Sequence, residues 1–298
     1  VRLLATVEYD GTDFSGFQLQ AHPDRARPRT VQAVLEAAVA PLAGPPPGSA
    51  PGDPAPGARI VGAGRTDAGV HAAGQVIHLD TAGPLTDDLP RFLRAWNARL
   101  PEDVRLRDLR AVPGTVHARY SATSRAYAYR IVNAPVCSPL LRRYAHHVRS
   151  PLSLAAMSDG GAHLIGEHDF APFAGGEGPG GTRREVFAVR VSEHWVVAPS
   201  IWHTLGQWVA QPTEAVRGPH VTVPESTRVV VVEVEANAFL RHMMRRIVAT
   251  LVEVGLGRLP PAEVAVILGA GDKGRGGQTA PARGLCLEHV RYPAGIAG

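Results

Sequence analysis

Between residues 62 and 74 the sequence reads GAGRTDAGVHAAG, a polar stretch in which Arg65, Thr66 and Asp67 stand between Gly64 and Gly69. Glycines allow sharp backbone paths and the close approach of a ligand, which is what a site on a connecting loop requires. A carboxylate held there can act as a nucleophile or accept a proton. Asp67 alone does not name a reaction, and a turn in which an aspartate caps the chain and an arginine pairs with it would use the same residues. Histidines 71, 78, 146, 147 and 242 raise a metal reading, but there is no HExxH pair and no Cys/His ligand set, so no metal is expected. The glycines of residues 175 to 181 do not form a strand, GxGxxG and helix unit, and no dinucleotide or other cofactor is expected.

Elements of alternating and helical periodicity surround that loop. Strands are expected at 2–9, 59–63, 75–80 and 104–112, with residues 10–20 as a loop carrying Phe14, Phe17, Gln18 and Gln20. Thr30 is a natural N-cap for a helix whose apolar positions are Val31, Val34, Leu35, Val39 and Leu42, and Leu89, Phe92, Leu93, Trp96 and Leu100 mark a second. The rest of the chain repeats this rhythm, with strands at 125–133, 184–197, 228–235 and 285–292 and helices at 154–166, 240–255 and near Pro261. In the helix from Leu240, the apolar stripe of Met243, Met244, Ile247, Val248, Leu251 and Val252 leaves Arg245 on its flank, about 100° from its centre. Alternation along 125–133 puts Tyr127 and Tyr129 on one face of their strand. The expected organisation is a first α+β half over 1–112 and a second over 113–298, the second interrupted by an insertion at 198–226 rich in Trp and Pro.

With 32 glycines and 26 prolines in 298 residues, about one residue in five interrupts regular structure, and many of them gather at 44–57 and 175–181. A chain 45 % hydrophobic and 19 % charged is too apolar to be disordered throughout. Basic residues outnumber acidic ones 31 to 27, and only Lys273 among them is a lysine. Arginine can grip phosphate with two donors and stack on a base, so this charge suits an RNA partner, as it also suits a plain coding bias. Runs at 25–29, 142–149, 183–184 and 241–246 are candidate phosphate contacts. Two cysteines, Cys137 and Cys286, are too few for a disulfide scaffold, and the early acidic residues and short apolar runs exclude a secretory signal and a membrane span; a soluble cytoplasmic protein is expected. From the residues alone, a non-catalytic RNA-binding protein and a metal-dependent nucleic-acid hydrolase stand beside a cofactor-free enzyme.

The segment GAGRTDAGVHAAGQVIHLD (62–80) resembles the signature of the TruA family of tRNA pseudouridine synthases. Six further segments fall in that family's order: EYDGTDFSGFQLQ (8–20), TVQAVLEAAV (30–39), HARYSATSRAYAYRI (117–131), GEHDFAPF (166–173), ANAFLRHMMRRIVATLVEVGLG (236–257) and ARGLCLEHVRYP (282–293). The resemblance implies the pseudouridine synthase fold: α+β, two similar halves whose antiparallel sheets merge into one extended sheet around a central cleft, with helices on one side. It implies isomerisation of uridine to pseudouridine at positions 38 to 40 of the tRNA anticodon stem-loop, by a homodimer without a cofactor. It makes Asp67 the catalytic nucleophile, Arg65 the neighbouring substrate-binding arginine, Tyr127 the active-site tyrosine and Arg245 the partner of the catalytic carboxylate. Arg246 departs from the pattern, standing where relatives often carry a small polar residue.

Overall fold

The computed structural model describes residues 1–20, 28–44, 59–176, 181–196, 226–270 and 278–296. The insertion expected at 198–226 lies, but for its last residue, outside them, as does most of the Pro/Gly segment 44–57. The described residues form ten strands and five α-helices, the α+β composition expected. No helix among them is long and apolar enough to cross a membrane.

Two compact units divide the chain, Val1–Ala126 with Cys286–Gly298, and Tyr127–Leu285. Sequence order set the division at 112/113 and left the C-terminal strand with the second half; in space that strand returns to the first unit. The first unit contains β1 (Arg2–Tyr9), α1 (Val31–Ala43), β2 (Val61–Gly62), β3 (His71–Asp80), α2 (Leu89–Asn97), β4 (Val104–Val112) and the start of β5 (Ser124–Asn133). Its sheet runs β4, β1, β3 and then the final strand β10 (Leu285–Arg291), with β2 also pairing β3. β1 lies antiparallel to β3 from Arg2↔Asp80 to Tyr9↔Ala72 and to β4 from Arg2↔Val112 to Tyr9↔Val104. β10 is parallel to β3, pairing Cys286 with His71 and Leu287 with Ala72.

α1 forms where expected because Thr30 Oγ1 accepts from the Ala33 amide at 3.3 Å and Val31, Leu35, Val39 and Leu42 bury one stripe. Asp88 caps α2 by accepting from the Arg91 amide at 3.0 Å, and Phe92 and Trp96 bury their rings edge to face with centroids 5.9 Å apart. β3 begins at His71 rather than residue 75, so the strand starts inside the glycine-rich motif. A buried cluster of Leu4, Ala63, Val76, Ala118 and Tyr292 then ties β1, the motif and the segment after β4 together.

The second unit holds most of β5, then β6 (His146–Val148), α3 (Leu154–Ala162), β7 (Gly166–Asp169), β8 (Arg183–Val196), β9 (Thr227–Ala236), α4 (Met243–Gly255) and α5 (Glu263–Gly269). Its strands order as β5, β9, β8, β7, and β6 pairs parallel to β5 from Ile131↔His146 to Asn133↔Val148. β6 and β7 are too short and too polar to show a period in sequence. α4 starts three residues later than its apolar pattern suggested, because His242 sits at φ 62, a left-handed conformation that a helix cannot pass through. The stripe itself is as expected: Met243, Met244, Ile247, Val248, Leu251 and Val252 are buried, each worth about 1.5–3 kcal/mol when fully removed from water.

Candidate active site

Asp67 stands half-buried on the β2–β3 connection of the first unit, between exposed Arg65 and exposed Ala68, while Thr66 beside it is 6 % exposed. Its loop is fastened along almost its whole length. The Ala63 amide donates to Val76 O at 2.7 Å, Gln75 Nε2 donates to Gly64 O at 3.1 Å, and Val70 N closes a turn on Asp67 O at 3.1 Å. From the loop after β1, Phe17 N donates to Thr66 O at 3.0 Å, and Gly69 N donates in return to Phe14 O at 3.2 Å. Beneath them Tyr9 and Thr66 share a buried hydroxyl hydrogen bond of 2.8 Å.

Glycine is needed where these two loops meet. Gly16 has φ 93, and a Cβ there would stand 2.8 Å from Thr66 O and 3.4 Å from the carbonyl carbon of Asp67. At Gly74 a Cβ would come within 2.3 Å of Glu288 O, so this motif glycine admits β10 rather than a ligand. The sequence singled out Phe14, Phe17 and the motif glycines; it gave no sign that the first loop is the brace of the second.

Two of the histidines meet backbone amides through Nδ1, and that of His71 also lies 3.1 Å from Asp10 Oδ1. His71 Nδ1 takes the Gly11 amide at 3.1 Å and His78 Nδ1 takes the Ala118 amide at 3.1 Å. Burial, with the charges of His117 and Arg2 nearby, lowers the His78 pKa to about 4, so the ring is neutral and keeps that acceptor lone pair. Among the described residues no group of three or more His, Cys, Asp or Glu gathers as a metal ligand set would.

In the second unit Tyr127 is buried on β5, its ring edge to face with Phe239 at 4.9 Å and 75°. Tyr129, two residues on, is fully buried and donates its hydroxyl to Pro281 O at 2.8 Å. Its pKa is raised by burial against the opposing charges of Arg245 and Arg283, so it serves as a neutral donor. Arg245 lies in the first turn of α4, where its Nε donates to Ala280 O at 2.7 Å and its carbonyl accepts from Ala280 N at 3.2 Å. The segment 280–281, which carries no regular element, thus holds both Arg245 and Tyr129. Arg246 turns elsewhere, Nη1 donating to Ala174 O at 2.7 Å. The two adjacent arginines therefore have different anchors, which sequence could not distinguish.

The structure thus sets Arg65 and Asp67 on one loop of the first unit, and Tyr127 and Arg245 on β5 and α4 of the second. Of the basic runs, Arg25 and Arg27 lie outside the described residues. Arg29 is not a free phosphate contact: it forms a two-pronged pair with Asp103 at 2.7 and 2.9 Å and lies 3.9 Å over the Phe14 ring. Arg183 pairs with Glu167 at 2.9 Å.

Comparison with known proteins bears directly on this loop. A family model described as tRNA pseudouridine synthase matches residues 5–121 and 162–293. A tRNA pseudouridine synthase A of Brevibacillus brevis is 38 % identical over 292 residues, spanning 98 % of this chain and 99 % of its own. The protein of that name from Roseiflexus castenholzii is 40 % identical over 287 residues, covering 96 % of this chain and 89 % of the relative. With the match running through both units and across the Asp67 loop, the chain belongs to the tRNA pseudouridine synthase family.

Proposed function

We propose that this isomerase, which acts on tRNA, converts uridine to pseudouridine at positions 38 to 40 of the anticodon stem-loop, with Asp67 as the catalytic nucleophile. The reaction breaks the N1–C1′ bond, turns the uracil, joins C5 to C1′ and releases the C5 proton. Nothing is oxidised and no group passes to another molecule. A carboxylate serves it by attacking C1′, as in retaining glycoside hydrolysis, or by taking the C2′ proton to give a glycal. Both routes need one ionised carboxylate held still beside the sugar. The observation that carries the reading is the bracing of Asp67: the backbone on both sides of it is tied to the loop after β1 and to β3, and its neighbour Thr66 is locked from below by Tyr9.

The uridine must leave its stack first, at a cost of a few kcal/mol typical of base flipping. In this reading exposed Arg65 fills the vacated position and contacts the backbone, Tyr127 packs against the flipped uracil, and Arg245 holds the carboxylate ionised by its charge. The buried ring of Tyr127, set by Phe239, and the backbone anchor of Arg245 at Ala280 support roles that need fixed side chains. The homodimer and the cytoplasmic location belong to the same reading and rest on the family resemblance.

Tritium release from tRNA carrying 5-³H-uridine, measured in chelator, tests it. Wild type should release tritium from a tRNA with uridines at 38 to 40, and Asp67→Ala should release none. Absence of release by wild type, or equal release by the variant, would show the proposal wrong.

A further inference from the structure

The turn that follows β4 carries a second feature of the first unit. Tyr120 is 77 % exposed, the most solvent-facing tyrosine ring for which burial is described. Its ring lies over His117, with centroids 4.3 Å apart and planes 31° from parallel, and His117 meets the buried ring of His78 edge-on at 4.7 Å. The guanidinium of exposed Arg119 stands 5.7 Å from the Tyr120 centroid.

A large ring in water is common on protein surfaces, and exposure alone would say nothing. The backbone beneath this one is unusual. The amides of Ala118, Arg119 and Tyr120 are accepted in succession by His78 Nδ1 at 3.1 Å and by His117 Nδ1 at 3.1 and 3.2 Å. Ala118 O accepts from the Tyr292 hydroxyl at 2.6 Å, and Arg119 O accepts from Arg125. Ser121 N closes the turn on His117 O at 2.9 Å. Four polar side chains, three of them buried, are used to fix a turn whose two projecting side chains, Arg119 and Tyr120, face solvent. Arg125 also donates to Ala63 O at 3.0 Å, at the foot of the Asp67 loop, so the turn and that loop share one anchor.

We propose that Tyr120, with Arg119 beside it, is a stacking platform for an unpaired base of the bound tRNA. The chemistry of this turn favours nucleic acid: a flat ring already backed by an imidazole offers a π-face, and the adjacent guanidinium supplies charge for the neighbouring phosphate. Single-stranded RNA bases are read in this way, by stacking on aromatic rings and guanidinium planes. Because the turn is fixed before binding, little ordering is left to oppose the contact. The inference rests on tRNA being the substrate, and it assigns a positioning surface rather than a reacting group.

The test is equilibrium binding of an unmodified tRNA transcript to the full chain, with Tyr120→Ala, Tyr120→Phe and Tyr120→Trp. The alanine variant should bind about 5- to 150-fold more weakly, the range found when a base loses its stacking partner, while Phe and Trp should restore affinity to within about twofold. Arg119→Ala should lower the slope of log Kd against log salt by about one, and Tyr120→Ala should leave that slope alone. The proposal is overturned if Tyr120→Ala binds like wild type, if Phe is as weak as Ala, or if the loss of affinity accompanies a changed sedimentation mass, which would make this a contact between copies of the chain. Binding needs no turnover, so a wild type that releases no tritium would refute the proposed reaction and leave this result readable.

Discussion

The bracing of the Asp67 loop is open to a direct perturbation at Gly16, which lies outside the proposed reacting groups. Gly16→Ala places a methyl carbon 2.8 Å from Thr66 O and 3.3 Å from Ala68 N, against backbone atoms that cannot swing aside as a flexible side chain would. The residue also sits at φ 93, where an L side chain is strained by about 1–2 kcal/mol or more. Relief requires the two loops to part, which stretches the Phe17 N to Thr66 O bond of 3.0 Å and the Gly69 N to Phe14 O bond of 3.2 Å. Strain and weakened hydrogen bonds together should cost about 2–4 kcal/mol. Catalysis should suffer further, since moving a reacting group by about 1 Å costs on the order of 100-fold in rate. Gly114→Ala is the matched control, because a Cβ there meets nothing within 4 Å, and such a substitution should stay within about 0.5 kcal/mol. Denaturant unfolding and tritium release would be measured on both variants. If Gly16→Ala unfolds at the wild-type midpoint and releases tritium at the wild-type rate, the loop after β1 is not what positions Asp67.

Two further perturbations probe the same unit. Because the folded pKa of His78 is lowered to about 4 while the unfolded ring titrates near 6.5, the unfolded chain binds the extra proton first. Stability should therefore be full above about pH 6.5 and fall as pH drops toward 4, by about 2–3 kcal/mol for a shift of this size. His78→Gln should flatten that fall in urea midpoints taken between pH 7.5 and 4.5, and an unchanged pH dependence would remove His78 as its source. Arg29→Ala should cost about 1 kcal/mol of stability, because the guanidinium serves Asp103 and the Phe14 ring, and it should leave the salt slope of tRNA binding as it was. A slope reduced by about one would return Arg29 to the phosphate contacts.

The elements visible in the sequence are those whose energy is local. α1, α2 and α4 each carry an apolar stripe, and α1 and α2 begin at a residue, Thr30 or Asp88, whose side chain accepts a first-turn amide. β6 and β7 are defined by partners rather than by their own residues: HHV and GEHD have no pattern until β5 and β8 supply the hydrogen bonds. The pairing of β10 with β3 joins residues more than 200 positions apart, and nothing in either segment encodes it except the small glycine at 74 that makes room for Glu288 O. His242 shows the reverse failure, for the apolar pattern through Leu240 is sound and a single left-handed residue stops the helix short of it.

The candidate site divides along the same line. Arg65 and Asp67 stand out as candidates because the glycines around them are concentrated in one short stretch, and it is the family resemblance that gives them roles. What keeps Asp67 in place comes mostly from far away in sequence: Tyr9 and Phe17 from the first strand and its loop, and Arg125, which reaches Ala63 from the beginning of β5, with Gln75 of β3 the one near neighbour among them. Nothing in the types of these residues marks them as braces, since each role depends on a partner that only the fold supplies. Their shared property is that each ends a hydrogen bond on a backbone atom or hydroxyl within three or four residues of Asp67, and most do so where water is excluded and a lost partner is costly. Arg125 makes the consequence concrete, since one buried guanidinium holds Ala63 O at the foot of the Asp67 loop and Arg119 O beside the exposed ring of Tyr120. A displacement of that side chain would move the proposed nucleophile and the proposed base platform together, so their relative placement within the first unit depends on a residue that is neither of them.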